Sequence, residues 1–157
     1  MGNIHPCLWF ADEAEQAVRF YVSVFPNSRI TGVLPFNDAG PGKPGEPMLI
    51  SFVLDGEDFL ALNGGSTIPH TEAVSFVKSC RTQQEVDELW ARLTDGGQEG
   101  QCGWLKDRYG VSWQIVPAEA MDMLRDPDPA KAAAVTTAML TMRKIQIEPL
   151  RVAYETA

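Results

Sequence analysis

The chain predicts an α+β fold in which two strand-helix-three-strand modules form a curved, mixed sheet with helices on its outer face, followed by a helical extension. Three observations carry this expectation. Periodic segments run strand, helix, three strands, and then the same order repeats. A shift of 69 residues lays Ala17, Phe20, Tyr21 and Val24 on Val86, Leu89, Trp90 and Leu93, so two amphipathic stripes coincide. A shift of 54 lays GEDFLALN on GVSWQIVP, glycine on glycine and alternation on alternation.

Each element follows from local chemistry. Residues 4–10, IHPCLWF, read as a strand, and ADEAEQAVRFYVSVF reads as a helix with acidic residues in its first turn, where they suit the helix dipole. Pro26-Asn27 ends it. Three strands follow, in SRITGVLPF, MLISFVLDG and EDFLALN, and the Gly- and Pro-rich NDAGPGKPGEP between the first two reads as an exposed loop. In the second module AVSFVKSC is a strand. TQQEVDELWARL is a helix with Thr82 as N-cap and Glu85 three residues on, stopped by Gly96-Gly97.

Strands through 98–105 and 111–116 meet at a turn around Gly110, where Asp107 is expected to bond turn amides. Alternation sends Trp113 and Ile115 to one face and Ser112, Gln114 and Val116 to the other. The modules span 4–66 and 72–117 of a single domain over 1–157. The tail, 118–157, breaks at DPDP and resumes as a helix with Val135, Ala138, Met139, Met142 and Ile145 on one stripe, then a short turn from Glu148. It is expected as a lid on the domain or a clasp on a second subunit.

Composition removes several classes of function. With 157 residues and 45% apolar composition the chain can close a core, and no apolar run approaches the length of a membrane span. A formal charge of −8 leaves no basic stripe for nucleic acid or an anionic membrane. The start, MGNIHPCLWFADEAE, has no basic region ahead of an apolar one, so the cytoplasm is the expected compartment. Cys7, Cys80 and Cys102 lack a paired framework or CxxC spacing and read as small packing residues. The expected partners are a small molecule and a second copy of the chain.

The element order, the hairpin WLKDRYGVSWQIV and the segments LWFADEAEQAVRFYVSVFPNS, SFVKSCRTQQEVDELW and AMLTMRKIQIEPLRVAYE resemble the PhnB-like branch of the glyoxalase and vicinal-oxygen-chelate superfamily. That branch is often labelled demethylubiquinone 3-methyltransferase. No strand here leads through a glycine-rich turn into a helix, the feature that would hold adenosyl-methionine in a doubly wound methyltransferase domain. The resemblance implies paired βαβββ modules, a concave sheet enclosing a cleft, and a homodimer. In metal-dependent relatives, His and Glu on the first and last strands of each module bind a divalent ion in the cleft.

Carried over, those places fall at Pro6, Leu60, Ser75 and Gln114. This set offers no usual metal site and implies no cofactor, since proline and leucine have no donor and glutamine has no charge to offset a dication's desolvation. His5 lies beside the first place, where a one-residue bulge would turn it inward. His70 reads as a solvated loop residue.

Strand parity then assigns to the cleft Pro6, Leu8 and Phe10; Asp58, Leu60 and Leu62; Ser75, Val77 and Ser79; and Ser112, Gln114 and Val116. The binding residues expected from this are Gln114, Ser75, Asp58, Ser112, Phe10 and Leu60, with Gln114 turned toward a ligand or toward Ser75. No activated nucleophile is visible. Three classes stay open. One is a small-molecule-binding or sequestering module. Another is an enzyme of the vicinal-oxygen-chelate type, metal-assisted through His5 or metal-free through a group such as Asp58. The third is an interaction protein with a filled cleft.

Overall fold

A computed structural model describes residues 4–157. The chain is α+β and falls into two compact units, one ending at Pro69 and the other running His70–Ala157. Among the described residues, hydrogen bonding groups eight strands into two four-stranded mixed sheets, one per unit.

Unit 1 contains β1 (Cys7–Phe10), α1 (Ala14–Val24), β2 (Arg29–Pro35), β3 (Pro47–Leu54) and β4 (Glu57–Asn63), with strand order β1-β4-β3-β2. The β1–β4 pair is parallel and the others antiparallel. The expected stripe on α1 is buried through Ala14, Ala17, Val18, Tyr21 and Val24. Among the fully buried side chains are Tyr21, Ile50 and Phe52. Each such residue contributes about 1.5–3 kcal/mol of burial. The β3–β4 hairpin turns on Asp55-Gly56, both at positive φ (48° and 89°), the geometry that lets two residues reverse twisted strands. The Gly- and Pro-rich loop is closed at its base by the Phe36 and Gly45 amides, which donate to the Glu46 and Phe36 carbonyls.

Unit 2 contains β5 (Ser75–Cys80), α2 (Gln83–Thr94), β6 (Gln98–Glu99), β7 (Trp104–Lys106) and β8 (Ser112–Pro117), with order β5-β8-β7-β6. The Thr82 side chain accepts from the Glu85 amide at 3.1 Å, and the Glu85 carboxylate accepts from the Arg81 amide at 2.8 Å, which satisfies two amides at the helix start. Gly96 follows the helix at φ 75°.

In the tail, the helix that resumes after DPDP ends earlier than expected. The tail forms α3 (Ala118–Leu124), α4 (Pro129–Leu140) and α5 (Ile147–Glu155). Asp128 caps α4 by accepting from the Ala130 amide, with Pro129 at the first helical position. Met142 and Ile145 lie after the end of α4, in the connection to α5, and α5 is two turns rather than one short turn. Their spacing mimics a helical stripe because the connection folds back onto the same cluster of Val116, Ala120, Met123, Val135, Ile145 and Leu150. The Cys102 and Gly103 amides donate to the Met142 and Arg143 carbonyls, at 2.8 and 2.7 Å, which ties the connection to the segment entering β7.

Candidate functional site

Register decides which side chains share a face. In unit 2, Ser75, Val77 and Ser79 stand opposite Ser112, Gln114 and Val116, and Trp104 and Lys106 stand opposite Gln114 and Ser112. The other parity, including Trp113, Ile115 and Leu105, is buried on the α2 side. The face turned away from α2 therefore carries two cross-strand rows, Gln98–Lys106–Ser112–Ser75 and Trp104–Gln114–Val77. Gln114 Nε2 donates to Ser75 Oγ at 2.9 Å, joining the rows. Val77 is 62% exposed. Val116 shares the parity but is taken up by the tail cluster, which closes that end of the face.

The hairpin that presents these rows is held by Asp107, a carboxylate only 3% exposed. Its Oδ1 accepts from the amides of Tyr109 and Val111, at 2.8 and 3.1 Å, and its Oδ2 from the Trp113 indole at 2.9 Å. The Asp107 amide donates to Val111 and the Gly110 amide to Asp107, with Gly110 at φ 83°. A buried carboxylate with three donors is a strong anchor, because charge-assisted bonds outlast neutral ones in low dielectric. Trp113 also packs against Phe76, ring centroids 5.4 Å apart.

In unit 1 the parity of the first strand differs from expectation. Leu8 and Phe10 pair with Ala61 and Asn63 on the buried side, and Phe10 is 3% exposed, so Phe10 belongs to the core and not to a binding face. The side away from α1 carries Cys7 and Trp9 with Leu60 and Leu62; Asp58, two residues before Leu60, shares that parity. The cause is a three-residue connection, Ala11–Glu13, between β1 and α1, where β5 and α2 are joined by only Arg81 and Thr82. Helices match at a shift of 69, but strand faces match at 70. By strand alternation His5, not Pro6, then follows the parity of Cys7 and Trp9 and corresponds to Ser75. Leu60 and Gln114 keep their correspondence, since Cys7 opposes Leu60 as Val77 opposes Gln114.

The corrected positions read His5, Leu60, Ser75 and Gln114. One imidazole, a hydrocarbon, a hydroxyl and an amide do not fit a divalent ion, because no carboxylate or second strong donor accompanies the imidazole. Among the described residues no group of three or more His, Cys, Asp or Glu side chains is placed to hold a metal. Cys7 is exposed rather than the small packing residue expected, and partial desolvation pushes its thiol up, which keeps it protonated and poorly nucleophilic. His70 is partly buried rather than fully solvated.

Among the described residues, cavities adjoin both sheets. One of about 200 Å³ lies in unit 2, lined by Glu72, Trp104, Lys106 and Ser112 among others. A larger one of about 410 Å³ in unit 1 is lined by Asp12, Glu15, Phe36, Lys43 and Asn63 among others, none of them expected from the sequence. Asn63 there is structural: its Oδ1 accepts from the Ala14 amide at the start of α1 and its Nδ2 donates to the Pro47 carbonyl, both at 2.9 Å. A buried asparagine closing an otherwise apolar strand alternation was the available signal.

A family model described as 3-demethylubiquinone-9 3-methyltransferase matches residues 2–116. A Bacillus cereus PhnB protein, titled with the same methyltransferase description, is 32% identical, with the match covering 74% of this chain and 100% of that one at a TM-score of 0.69. A Pseudomonas aeruginosa protein shares the fold at 19% identity and TM-score 0.62, covering 74% of this chain and 98% of that one. The fosfomycin resistance protein FosX of Listeria monocytogenes does so at 16% identity and TM-score 0.59, covering 80% and 98%. No curated protein matches the chain. By fold, register and family model, the chain belongs to the PhnB-like family described as 3-demethylubiquinone-9 3-methyltransferase, within the glyoxalase and vicinal-oxygen-chelate fold.

Proposed function

We propose that the protein binds a small organic molecule on the sheet face of unit 2 turned away from α2, using Gln114, Ser75 and Ser112, without the metal tetrad of metal-dependent relatives. The observation that carries this is the joined polar pair Gln114–Ser75, set between Trp104 and the exposed Val77. Small-molecule sites have this composition: mostly apolar walls with a few placed polar groups. A thermal-shift screen of small organic molecules tests it. Hits are expected, with Gln114→Ala weakening their binding about tenfold, the worth of one hydrogen bond. A screen without a stabilising compound, or hits indifferent to this substitution, would overturn the reading.

Methyl transfer is disfavoured by the connections themselves. Neither parallel strand-to-helix link, Ala11–Glu13 or Arg81–Thr82, contains the glycine that a close approach to an adenosyl cofactor needs. Titration calorimetry with S-adenosylmethionine is expected to show no saturable heat. The second reading, an enzyme of the vicinal-oxygen-chelate type, gains from the parity that turns His5 to the same face as Cys7. It requires near-stoichiometric metal in protein purified without chelator, lost in His5→Ala.

The homodimer rests on edges: β1 and β2 in unit 1, and β5 and β6 in unit 2, each pair on one side only within their own sheets. Light scattering is expected to return about twice 17.3 kDa. The cytoplasm, with all three cysteines free, is the compartment we assign. Among the described residues no helix is long and apolar enough to cross a membrane.

A further inference from the structure

One polar atom on the binding face is left without a partner. Ser112 is 2% exposed, and its Oγ has no hydrogen-bond partner among the described residues. A buried hydroxyl in that state is destabilising unless something supplies the missing bond. Ser112 lines the cavity of about 200 Å³, a volume suited to one end of a small molecule.

Its surroundings restrict what that end can be. Lys106 is the direct cross-strand neighbour of Ser112, so the two side chains leave the sheet on the same face, and both line this cavity. The ammonium makes a 2.8 Å ion pair with Glu72, which is 66% exposed and comes from the segment before β5. The Lys106 hydrogen bond draws the Glu72 carboxyl below its ordinary range. An ion pair this exposed holds its lysine weakly, and an ammonium has two further donors to give. Glu99, the other carboxylate lining the cavity, is already engaged: its Oε1 accepts from the Trp90 indole at 2.8 Å and its Oε2 lies 3.6 Å from Arg143. Trp104 supplies a flat apolar wall two residues along the strand from Lys106.

We infer that Lys106, Ser112 and Trp104 form a subsite for a flat conjugated molecule. An acceptor oxygen of that molecule, from a ketone or a carboxylate, receives hydrogen bonds from the lysine ammonium and the serine hydroxyl. The planar body lies against the indole. This rests on the proposed small-molecule site and names the ligand chemistry at one end of it.

The probes are acetophenone and benzoate, which share the flat body and differ in the oxygen. Each is titrated into the full chain at millimolar concentration while amide and indole proton–nitrogen NMR signals are followed. Saturable shifts are expected at the Trp104 indole and the Ser112 amide. Ser112→Ala should weaken both probes about fivefold to tenfold, the range of one hydrogen bond. It should leave thermal stability unchanged or higher, because it removes a hydroxyl that has no partner. Lys106→Met should weaken both probes, and benzoate more than acetophenone because an ammonium gains more from a charged acceptor than from a neutral one; benzoate binding unchanged in Lys106→Met would overturn the lysine's part.

Saturable shifts confined to Gln114 and Ser75 would overturn the subsite while leaving the broader site standing. The absence of saturable shifts with both probes would also overturn it, and the thermal-shift screen then decides separately whether the face binds anything. Loss of stability in Ser112→Ala would show that the hydroxyl already has a structural partner and would remove the basis of the inference.

Discussion

The two closing hairpins occupy the same place in their units and are built differently. The β3–β4 turn of unit 1 is two residues long: Asp55 and Gly56 take positive φ, the Asp55 amide donates to Ser28 Oγ, and the Gly56 amide donates to the Asn27 carbonyl. The β7–β8 connection of unit 2 spans residues 107–111 and is held by one buried carboxylate. Gly56 and Gly110 fall at equivalent places with nearly equal φ, 89° and 83°. A shared glycine thus marks a shared reversal but says nothing about what secures it. The longer, side-chain-anchored hairpin carries the candidate site, because a wider turn lets Lys106 and Ser112 stand at its base.

The comparison breaks most readily at the anchor. Trp113→Ala is expected to cost about 3 to 5 kcal/mol as a buried aromatic cavity. Asp107→Ala should cost about 2 to 3 kcal/mol, since it leaves the Trp113 indole and two amides without their acceptor. In urea unfolding, Asp55→Ala, at an exposed position, should cost less than Asp107→Ala, at a buried one. Equal costs at the two aspartates would mean the hairpins are secured alike.

The glycines sharpen the same contrast. Alanine at either position meets open space or only a side-chain atom, so the cost is that of a positive φ, about 1 to 2 kcal/mol at both. A cost at Gly110 well above that at Gly56 would show that the unit 2 turn depends on its glycine as much as on Asp107.

The smallest expected effect concerns pH and the tail of unit 2. The Arg151 guanidinium holds the Glu119 carboxyl below its ordinary range, and the Tyr154 hydroxyl does the same for Asp126. Depressed carboxyls stabilise the fold fully above their ordinary values and lose that contribution as pH falls through the lowered ones. Both pairs are on the surface, so the loss is a modest loosening rather than unfolding. Amide exchange in residues 118–155 should quicken as pH drops below the ordinary carboxylate range, after correction for intrinsic exchange. Protection unchanged across that interval would show that the two pairs contribute nothing.

The features legible in the sequence were those with a single periodic answer. The α1 and α2 stripes, the Thr82 cap and the faces of β4, β5 and β8 alternate cleanly, and Gln114 was legible from its place after Gly110. The first strand was not legible in this way, because Cys7, Leu8, Trp9 and Phe10 are apolar at both parities and alternation cannot choose between them. One extra residue before α1 then moved Phe10 into the core and shifted the position equivalent to Ser75 from Pro6 to His5. The end of α4 was hidden for the opposite reason: Met142 and Ile145 keep helical spacing while lying in a loop. The isolation of Ser112 Oγ had no sequence signal at all, since it depends on what the two neighbouring strands fail to offer.

The tail's place in the unit 2 core sets an order for synthesis. The strand pairs, capping bonds and loop closures of unit 1 described above use residues up to 63, so that unit has its partners while most of the second is still untranslated. Unit 2 needs Ile145 against Gly103, the Met142 and Arg143 carbonyls for the chain entering β7, and Leu150 in the cluster around Val116. Chains grow at roughly 5–20 residues per second and domains fold as their parts emerge. For several seconds β5 through β8 would exist without the residues that bury Val116, with that apolar end of the sheet open to neighbouring chains on the same message.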